Sequence, residues 1–317
     1  MLTIPHEVIS SLDISPRQAL QWVRESFCIK EQGPVFLPHK TSIVFEQGKF
    51  MNTMPCIAPS LNAMGVKIVT RYPERTRTID GEILLYDYRT GRLLALMDAF
   101  WVTNARTGAV AALALQTFIN QDFQTISLMG LGNTARAAMA CILSLYAEKN
   151  FTVRLLTYKN QASRFIEEFQ HHANVRFEEE EDVNRLIDGA DAVISCITNA
   201  EGILAEDSCF KPGVTVIPVH TKGFQNCDLF FDKVFADDRD HVKGFRYFEQ
   251  FRQFGEISLV LAGKTAGRTS AEERILSYNI GLGLHDIVFA RHIYDLLVNV
   301  EGQEENPSFF HFQRPIR

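Results

Sequence analysis

Between residues 82 and 98 the chain reads EILLYDYRTGRLLALMD, two apolar-rich runs around a short polar segment in which Gly91 is placed for positive φ. That pattern predicts a β-hairpin. GVKIVTRY at 65–72 reads as another strand, so the first hundred residues look strand-rich and antiparallel. The period then lengthens. Thr103 can cap a helix whose body, NARTGAVAALALQTFI, is dominated by Ala and Leu, with Arg106 in its first turn.

From about residue 123 the pattern changes again. FQTISLM is an apolar strand, followed by a glycine turn and the helix TARAAMACILSLYAEK. Strand FTVRLLT (151–157), helix QASRFIEEFQHH, strand NVRFE and a short acidic helix come next. Strands ADAVISCI (190–197), VTVIPV (214–219) and KVFAD (233–237) complete the run. Strands alternating with helices indicate parallel βαβ units and an α/β fold. The terminal helix NIGLGLHDIVFARHIYDLL is expected to cross back to the N-terminal part, because a lone helix needs a surface on which to bury its apolar face.

The glycine turn, SLMGLGNTARAAM, holds Gly130, Gly132 and Ala135 in the spacing G-x-G-x-x-A. Its context is that of a dinucleotide-binding turn, with a strand before it, a helix after it and a second strand within about 30 residues. Gly130 permits the tight turn, Gly132 lets the backbone approach a pyrophosphate, and Ala135 lets helix and strand pack closely. The helix N-terminus offers free N–H groups to phosphate. The alternative is a merely tight strand–helix turn. The candidate cofactor contacts are Gly130, Gly132, Asn133, Thr134 and Ala135, then Thr157 and Lys159 near the end of the second strand, and Thr198. That strand ends LLTYKN and supplies no carboxylate for a ribose 2′-hydroxyl. Lys159, with Arg164, can meet a 2′-phosphate, which leans the expected cofactor from NAD toward NADP; the alternative for Lys159 is a surface lysine with no role.

Composition narrows the class. The 317 residues, 46% of them hydrophobic, suit one large or two medium domains. The net charge of −6 comes without a basic stripe, so no nucleic-acid partner is expected. No leader is read from MLTIPHEVIS, and no apolar run approaches membrane-spanning length, so no membrane partner is expected. Cys28, Cys56, Cys141, Cys196, Cys209 and Cys227 form no C-x-x-C and read as buried free thiols of a cytoplasmic protein. No metal-ligand spacing occurs, so no metal is expected.

Several stretches together resemble the ornithine cyclodeaminase and mu-crystallin family: MP at 54–55, GVKIVTRYP at 65–73, TGRLLALMDA at 90–99, TNARTGAVAA at 103–112, GLGNTA at 130–135, FGE at 254–256 and IGLGLHD at 280–286. The resemblance implies a Rossmann-type doubly wound parallel sheet domain at 119–278. It also implies a discontinuous α+β substrate-binding domain, residues 1–118 and 279–317, that forms a homodimer. It places Lys67 as the substrate lysine, Arg106 as the carboxylate-binding arginine, and Lys40 where a second arginine is common. For each, the alternative is a solvated charge. Two departures matter. Asn52 stands where cyclodeaminases have Glu, and Lys222 where cyclodeaminases and alanine dehydrogenases have Asp, with His220 two residues earlier.

The expected function is hydride transfer between a nicotinamide cofactor and an amino or imino acid, as a dehydrogenase or an imine or ketimine reductase. Arg106, Lys40 and Asn52 would contact substrate, Lys67 would orient the carboxylate or act as acid/base, and His220 or Lys222 could donate a proton. The alternatives are a cyclodeaminase that recycles NAD and a crystallin-like binding protein without turnover. Lys40, Lys67, Arg106 and Lys222 crowded together suggest a substrate with more than one anionic group, such as a dicarboxylic amino or imino acid.

Overall fold

The computed structural model describes residues 1–197, 204–219, 230–245 and 247–298. Thr198, His220, Lys222 and Cys227 therefore lie outside the described residues.

The N-terminal part forms a six-stranded sheet from β1 (Leu2–Ile4), β2 (Thr41–Glu46), β3 (Lys49–Ala58), β4 (Ala63–Arg71), β5 (Ile79–Asp87) and β6 (Leu93–Asp98), in the order β1-β6-β5-β4-β3-β2. The hairpin β5–β6 forms as the pattern predicts, with Gly91 at φ 67°. Four pairings are antiparallel, but β1 joins β6 in parallel. Strands so far apart in sequence need no tight turn, and either direction is open to them.

Parity along β3 and β4 decides which residues reach the core. Met54 lies opposite Lys67 and Asn52 opposite Val69. Met54, Cys56, Lys67, Val69, Ile83 and Leu85 are all buried. One lysine therefore sits within an otherwise apolar sheet face.

Three helices precede or follow these strands: α1 (His6–Ser10), α2 (Pro16–Gln32) and α3 (Phe100–Phe118). The strand-rich reading overlooked α2, although its start is marked: Ser15 accepts a hydrogen bond from the Gln18 N–H at 3.2 Å, and Pro16 follows at the first helical position. α3 begins at Phe100, so Thr103 is not its cap and Arg106 is not in its first turn. The N-cap residue is Ala99, and Asp98, at the end of β6, accepts from the Phe100 N–H through its Oδ1 at 2.9 Å. Arg106 consequently lies in the second turn, away from the helix terminus.

The second sheet has eight parallel strands. In chain order its elements are β7 (Thr125–Met129), α4 (Asn133–Leu145), β8 (Phe151–Leu156), α5 (Gln161–Phe169), β9 (Val175–Glu180), α6 (Val183–Ile187), β10 (Ala192–Ser195), β11 (Thr215–Pro218), β12 (Lys233–Ala236), α7 (Arg239–Val242), β13 (Phe254–Glu256), α8 (Ile257–Leu261) and β14 (Ile275–Tyr278). Their spatial order is β13-β12-β14-β11-β10-β7-β8-β9. The chain reverses direction across the sheet between β7 and β10, the position where such sheets open a crevice beyond their carboxyl ends. Residues of β10, β11, β12 and β14 are buried throughout, as a sheet covered on both faces requires.

The last helix, α9 (Gly283–Val298), returns to the first sheet. It approaches so closely that a Cβ on Gly283 would meet the carbonyl oxygens of Met54 and Pro55. A similar close contact joins α3 to α4, where a Cβ on Gly108 would strike the backbone of Ala137 and Ala138. Gly108→Val is expected to destabilise the protein by about 1–3 kcal/mol through overpacking. Denaturant unfolding monitored by circular dichroism measures this, and an unchanged midpoint would contradict the contact.

Candidate active site

Two places gather the groups of interest, one at the carboxyl edge of the parallel sheet and one on the first sheet. The first is the turn after β7. Gly130 has φ 79°, and a Cβ there would lie 2.8 Å from the Cys196 carbonyl carbon, so this position needs glycine for both conformation and space. Gly132 precedes α4, whose N-terminus has no side-chain cap, and nothing lies within 4 Å of where its Cβ would be. Open space beside uncapped N–H groups is what a bound phosphate requires. Asn133 and Thr134 open the helix, and Ala135 is fully buried beneath it. Just beyond the neighbouring strand β8, the Thr157 Oγ1 is buried without a hydrogen-bond partner among the described residues. Lys159 is exposed at φ 52°, its Nζ 5.1 Å from the Tyr158 ring centroid, and Arg164 is exposed. These features fit a dinucleotide with its pyrophosphate on α4.

The second place is the buried face of β4. The Lys67 Nζ donates to the Asp286 Oδ1 at 2.7 Å, and the Arg106 Nε donates to that same oxygen at 3.0 Å. Lys67 and Asp286 are 1% and 0% exposed and Arg106 only 6%, so neither cation is a solvated surface charge. Asp286 sits in the first turn of α9, where the helix dipole favours a carboxylate. Burial opposes its ionisation, but Arg106 and Lys67 outweigh that and hold the carboxyl below its ordinary range. Burial pulls the Lys67 ammonium down to about 7; Arg106 and Lys40 push the same way and Asp286 resists.

Arg106 spends only its Nε on the protein, so among the described residues both Nη groups are free to grip a ligand. Beside them lies Gly281 at φ 87°, where a Cβ would strike the guanidinium. The Gly281 N–H donates at 2.6 Å to the Asp237 Oδ2, just beyond β12, and Asp237 Oδ1 is buried without a partner. Burial pushes the Asp237 carboxyl up from its ordinary range. Lys40, half-buried just ahead of β2, is lowered by burial and by Arg106, while Asp237 opposes the shift. Asn52 lies on the Lys67 face of the sheet, one residue pair along, and its Oδ1 is also buried without a partner.

The structure thus brings together Lys67 and Arg106, with Lys40 within electrostatic range of both. Sequence reasoning overlooked Asp286 and Asp237. The signal for Asp286 was present, a His-Asp pair opening a helix that is otherwise apolar on its buried side. Asp286 supplies an internal anion that compensates part of the charge of these cations. An imidazole from His285 is next to Asp286, but its Nδ1 is engaged with the Ser26 hydroxyl at 2.5 Å, and burial keeps it neutral, down to about 3. Chemically, the arrangement can bind one carboxylate through Arg106 and exchange a proton through Lys67 near neutral pH.

A family model described as "Ornithine cyclodeaminase/mu-crystallin family" matches residues 1–301. A Delta(1)-pyrroline-2-carboxylate reductase of Bacillus cereus is 26% identical over 281 residues, covering 82% of this chain and 86% of that protein. The ketimine reductase mu-crystallin of Mus musculus is 26% identical over 299 residues, 90% of this chain and 92% of that protein. Among solved structures, Thermococcus litoralis Delta(1)-pyrroline-2-carboxylate reductase in complex with NADH and L-proline has a TM-score of 0.83 and 23% identity, covering 95% of this chain and 98% of its own.

Gly132→Val is expected to leave the fold intact, because the site is open and its φ of −83° suits any residue. The branched side chain would then occupy the space a pyrophosphate needs. Calorimetric titration should show nicotinamide dinucleotide affinity reduced by about 100-fold or more, in the range of a blocked anion site. Wild-type affinity in a folded variant would refute the assignment of the turn.

Proposed function

The chain belongs to the ornithine cyclodeaminase/mu-crystallin family, and we propose that within it this protein is an NAD(P)-dependent reductase of an imino acid carrying one carboxylate beside its C=N bond. The observation that carries this reading is the pair of buried cations, Lys67 and Arg106, meeting on one Asp286 oxygen. The reductases named among its relatives support the same chemistry. Residues 1–118 and 279–317 would hold the substrate and 119–278 the cofactor, a division supported by the two separate sheets.

The cofactor, held by Gly130, Gly132, Asn133, Thr134 and Ala135 with Thr157, supplies the hydride. Arg106 grips the substrate carboxylate through its free Nη fork, with Lys40 adding positive charge. Lys67 then gives a proton to the substrate nitrogen as the adjacent carbon accepts hydride, so that C=N becomes CH–NH and Lys67 is left neutral. Burial excludes water from this transfer. Asn52, with an amide where a carboxylate would be needed for cyclodeamination, favours reduction over that lyase chemistry. The absence of a carboxylate in the 157–160 segment and the exposed Lys159 support NADP(H) over NAD(H).

A homodimer is part of the same proposal. Edge strand β2 is exposed along its whole length, with Ile43, Val44 and Phe45 at 56%, 72% and 48% exposure. An apolar unpaired edge of this kind invites pairing with a second copy. Light scattering at micromolar concentration should report twice the chain mass of 36.0 kDa; a monomer removes the idea.

The decisive assay follows loss of nicotinamide absorbance with a cyclic imino acid such as Δ1-pyrroline-2-carboxylate. The ratio kcat/KM should be high below about pH 7 and fall above it, because it reports the free enzyme, in which Lys67 must be protonated to act as the acid. The reverse oxidation should show the opposite slope. Lys67→Met should lower kcat by about 100-fold or more, the usual size of a lost general acid. Ammonia release without net cofactor change, or full activity in Lys67→Met, would sink the reading.

A further inference from the structure

The three cations of the pocket share too little negative charge. Lys67 of β4 is faced by Arg106 of α3, by Asp286 of α9 and by Lys40 ahead of β2. Cys56 on β3 adds no charge, since burial and Asp286 push its thiol up to about 12. His285 of α9 is neutral, and Asp237 beyond β12, whose carboxyl burial pushes up, offsets part of the charge of Lys40. Among the described residues, with Lys67 protonated, three positive groups therefore share Asp286 and, beside Lys40, Asp237, which leaves an excess of positive charge. Both strong contacts to Asp286 fall on Oδ1, leaving Oδ2 buried and without a partner.

We infer that the pocket is a carboxylate-gated proton site, in which an anion bound at the free Nη fork of Arg106 causes Lys67 to take up a proton. The reasoning is electrostatic. In the empty pocket, one of the cations can reduce mutual repulsion by shedding its proton. Arg106 cannot do so at any relevant pH, whereas a desolvated lysine can. Lys67, at about 7, is the group already close to doing so. A carboxylate on Arg106 adds the missing negative charge within a few ångströms and at low dielectric, and this favours the protonated lysine. The inference rests on the proposed reading and deepens it: the substrate's own carboxylate arms the acid that the reduction consumes. The enzyme would then keep a competent acid above the pH at which the empty pocket loses it. A ketone or imine lacking the carboxylate would find Lys67 neutral.

Proton uptake on binding an unreactive carboxylate tests this without requiring turnover. Cyclopentanecarboxylate, which has no titrating nitrogen, is titrated calorimetrically into protein saturated with NADH or NADPH. Buffers of different ionisation enthalpy are used at each pH, and the slope of observed heat against ionisation enthalpy gives protons taken up. At about pH 8 the wild type should take up about 0.8 proton per carboxylate, and at about pH 5.5 close to none, as follows if Lys67 moves from about 7 to about 9 or above. Lys67→Met should show no uptake at either pH. Lys67→Arg, which keeps the charge but does not titrate, should behave likewise and serves if the Met variant does not fold. Absence of saturable binding, absence of uptake at the higher pH, or uptake persisting in either Lys67 variant overturns the inference. A protein that takes up the proton but reduces no imino acid keeps this inference and loses the reductase reading; an active reductase without uptake does the reverse.

Discussion

One carboxylate oxygen organises the site. The Asp286 Oδ1 accepts from both Lys67 and Arg106, which would otherwise repel each other in a space that excludes water. Two like charges a few ångströms apart at intermediate dielectric oppose each other by several kcal/mol, on the order of 4 kcal/mol at 4 Å. A buried cation pair is thus tolerable only with an anion between them. The three side chains come from β4, α3 and α9, so this electrostatic requirement also fixes how the C-terminal helix lies on the N-terminal sheet. Glycine at 283 and 65 allows α9 close enough for the carboxylate to reach.

The parallel sheet and the hairpin were legible because strand parity and glycine spacing are local properties. Lys67 was legible for the same reason: a lysine between Val66 and Ile68 must either face solvent or sit on the buried side of its strand. What was not legible was its partner. Asp286 is 219 residues further along and Arg106 is separated from it by 180, and no local pattern encodes a meeting across such distances. That partner compensates part of the positive charge which the sequence alone left unbalanced. The misplaced start of α3 had a different origin. Thr103 is an acceptable cap by residue type, but the helix starts one turn earlier, directly after β6 ends at Asp98, with Ala99 as its N-cap. α2 was overlooked despite a good Ser-Pro start, because the strands around it dominated the reading of that region.

Asp237 connects the halves of the molecule in a different way. Its carboxyl holds Gly281, whose backbone fills the space beside the Arg106 guanidinium. The residue at the end of a cofactor-sheet strand therefore helps set where the arginine's fork points, without touching it. The buried, partnerless Oδ1 of Asp237 and the Oδ1 of Asn279, two residues before Gly281, leave acceptor capacity at the rim of the crevice. Buried acceptors of this kind are costly unless a donor arrives.

The contact between Gly108 and Ala137–Ala138 has a mechanical consequence. Arg106 and Gly108 are on the same helix, two residues apart, and Gly108 rests on the backbone of the helix that begins at the dinucleotide turn. Main chain against main chain leaves no compliant side chain in between. Helix α3 therefore acts as a caliper: one jaw bears on α4, the other carries the guanidinium. The gap between them is set by backbone geometry rather than by rotamers. A lineage adapting this scaffold to a longer or shorter acid cannot easily retune that gap. It must vary the walls instead, from the segment carrying Lys40 or from the position of Asn52.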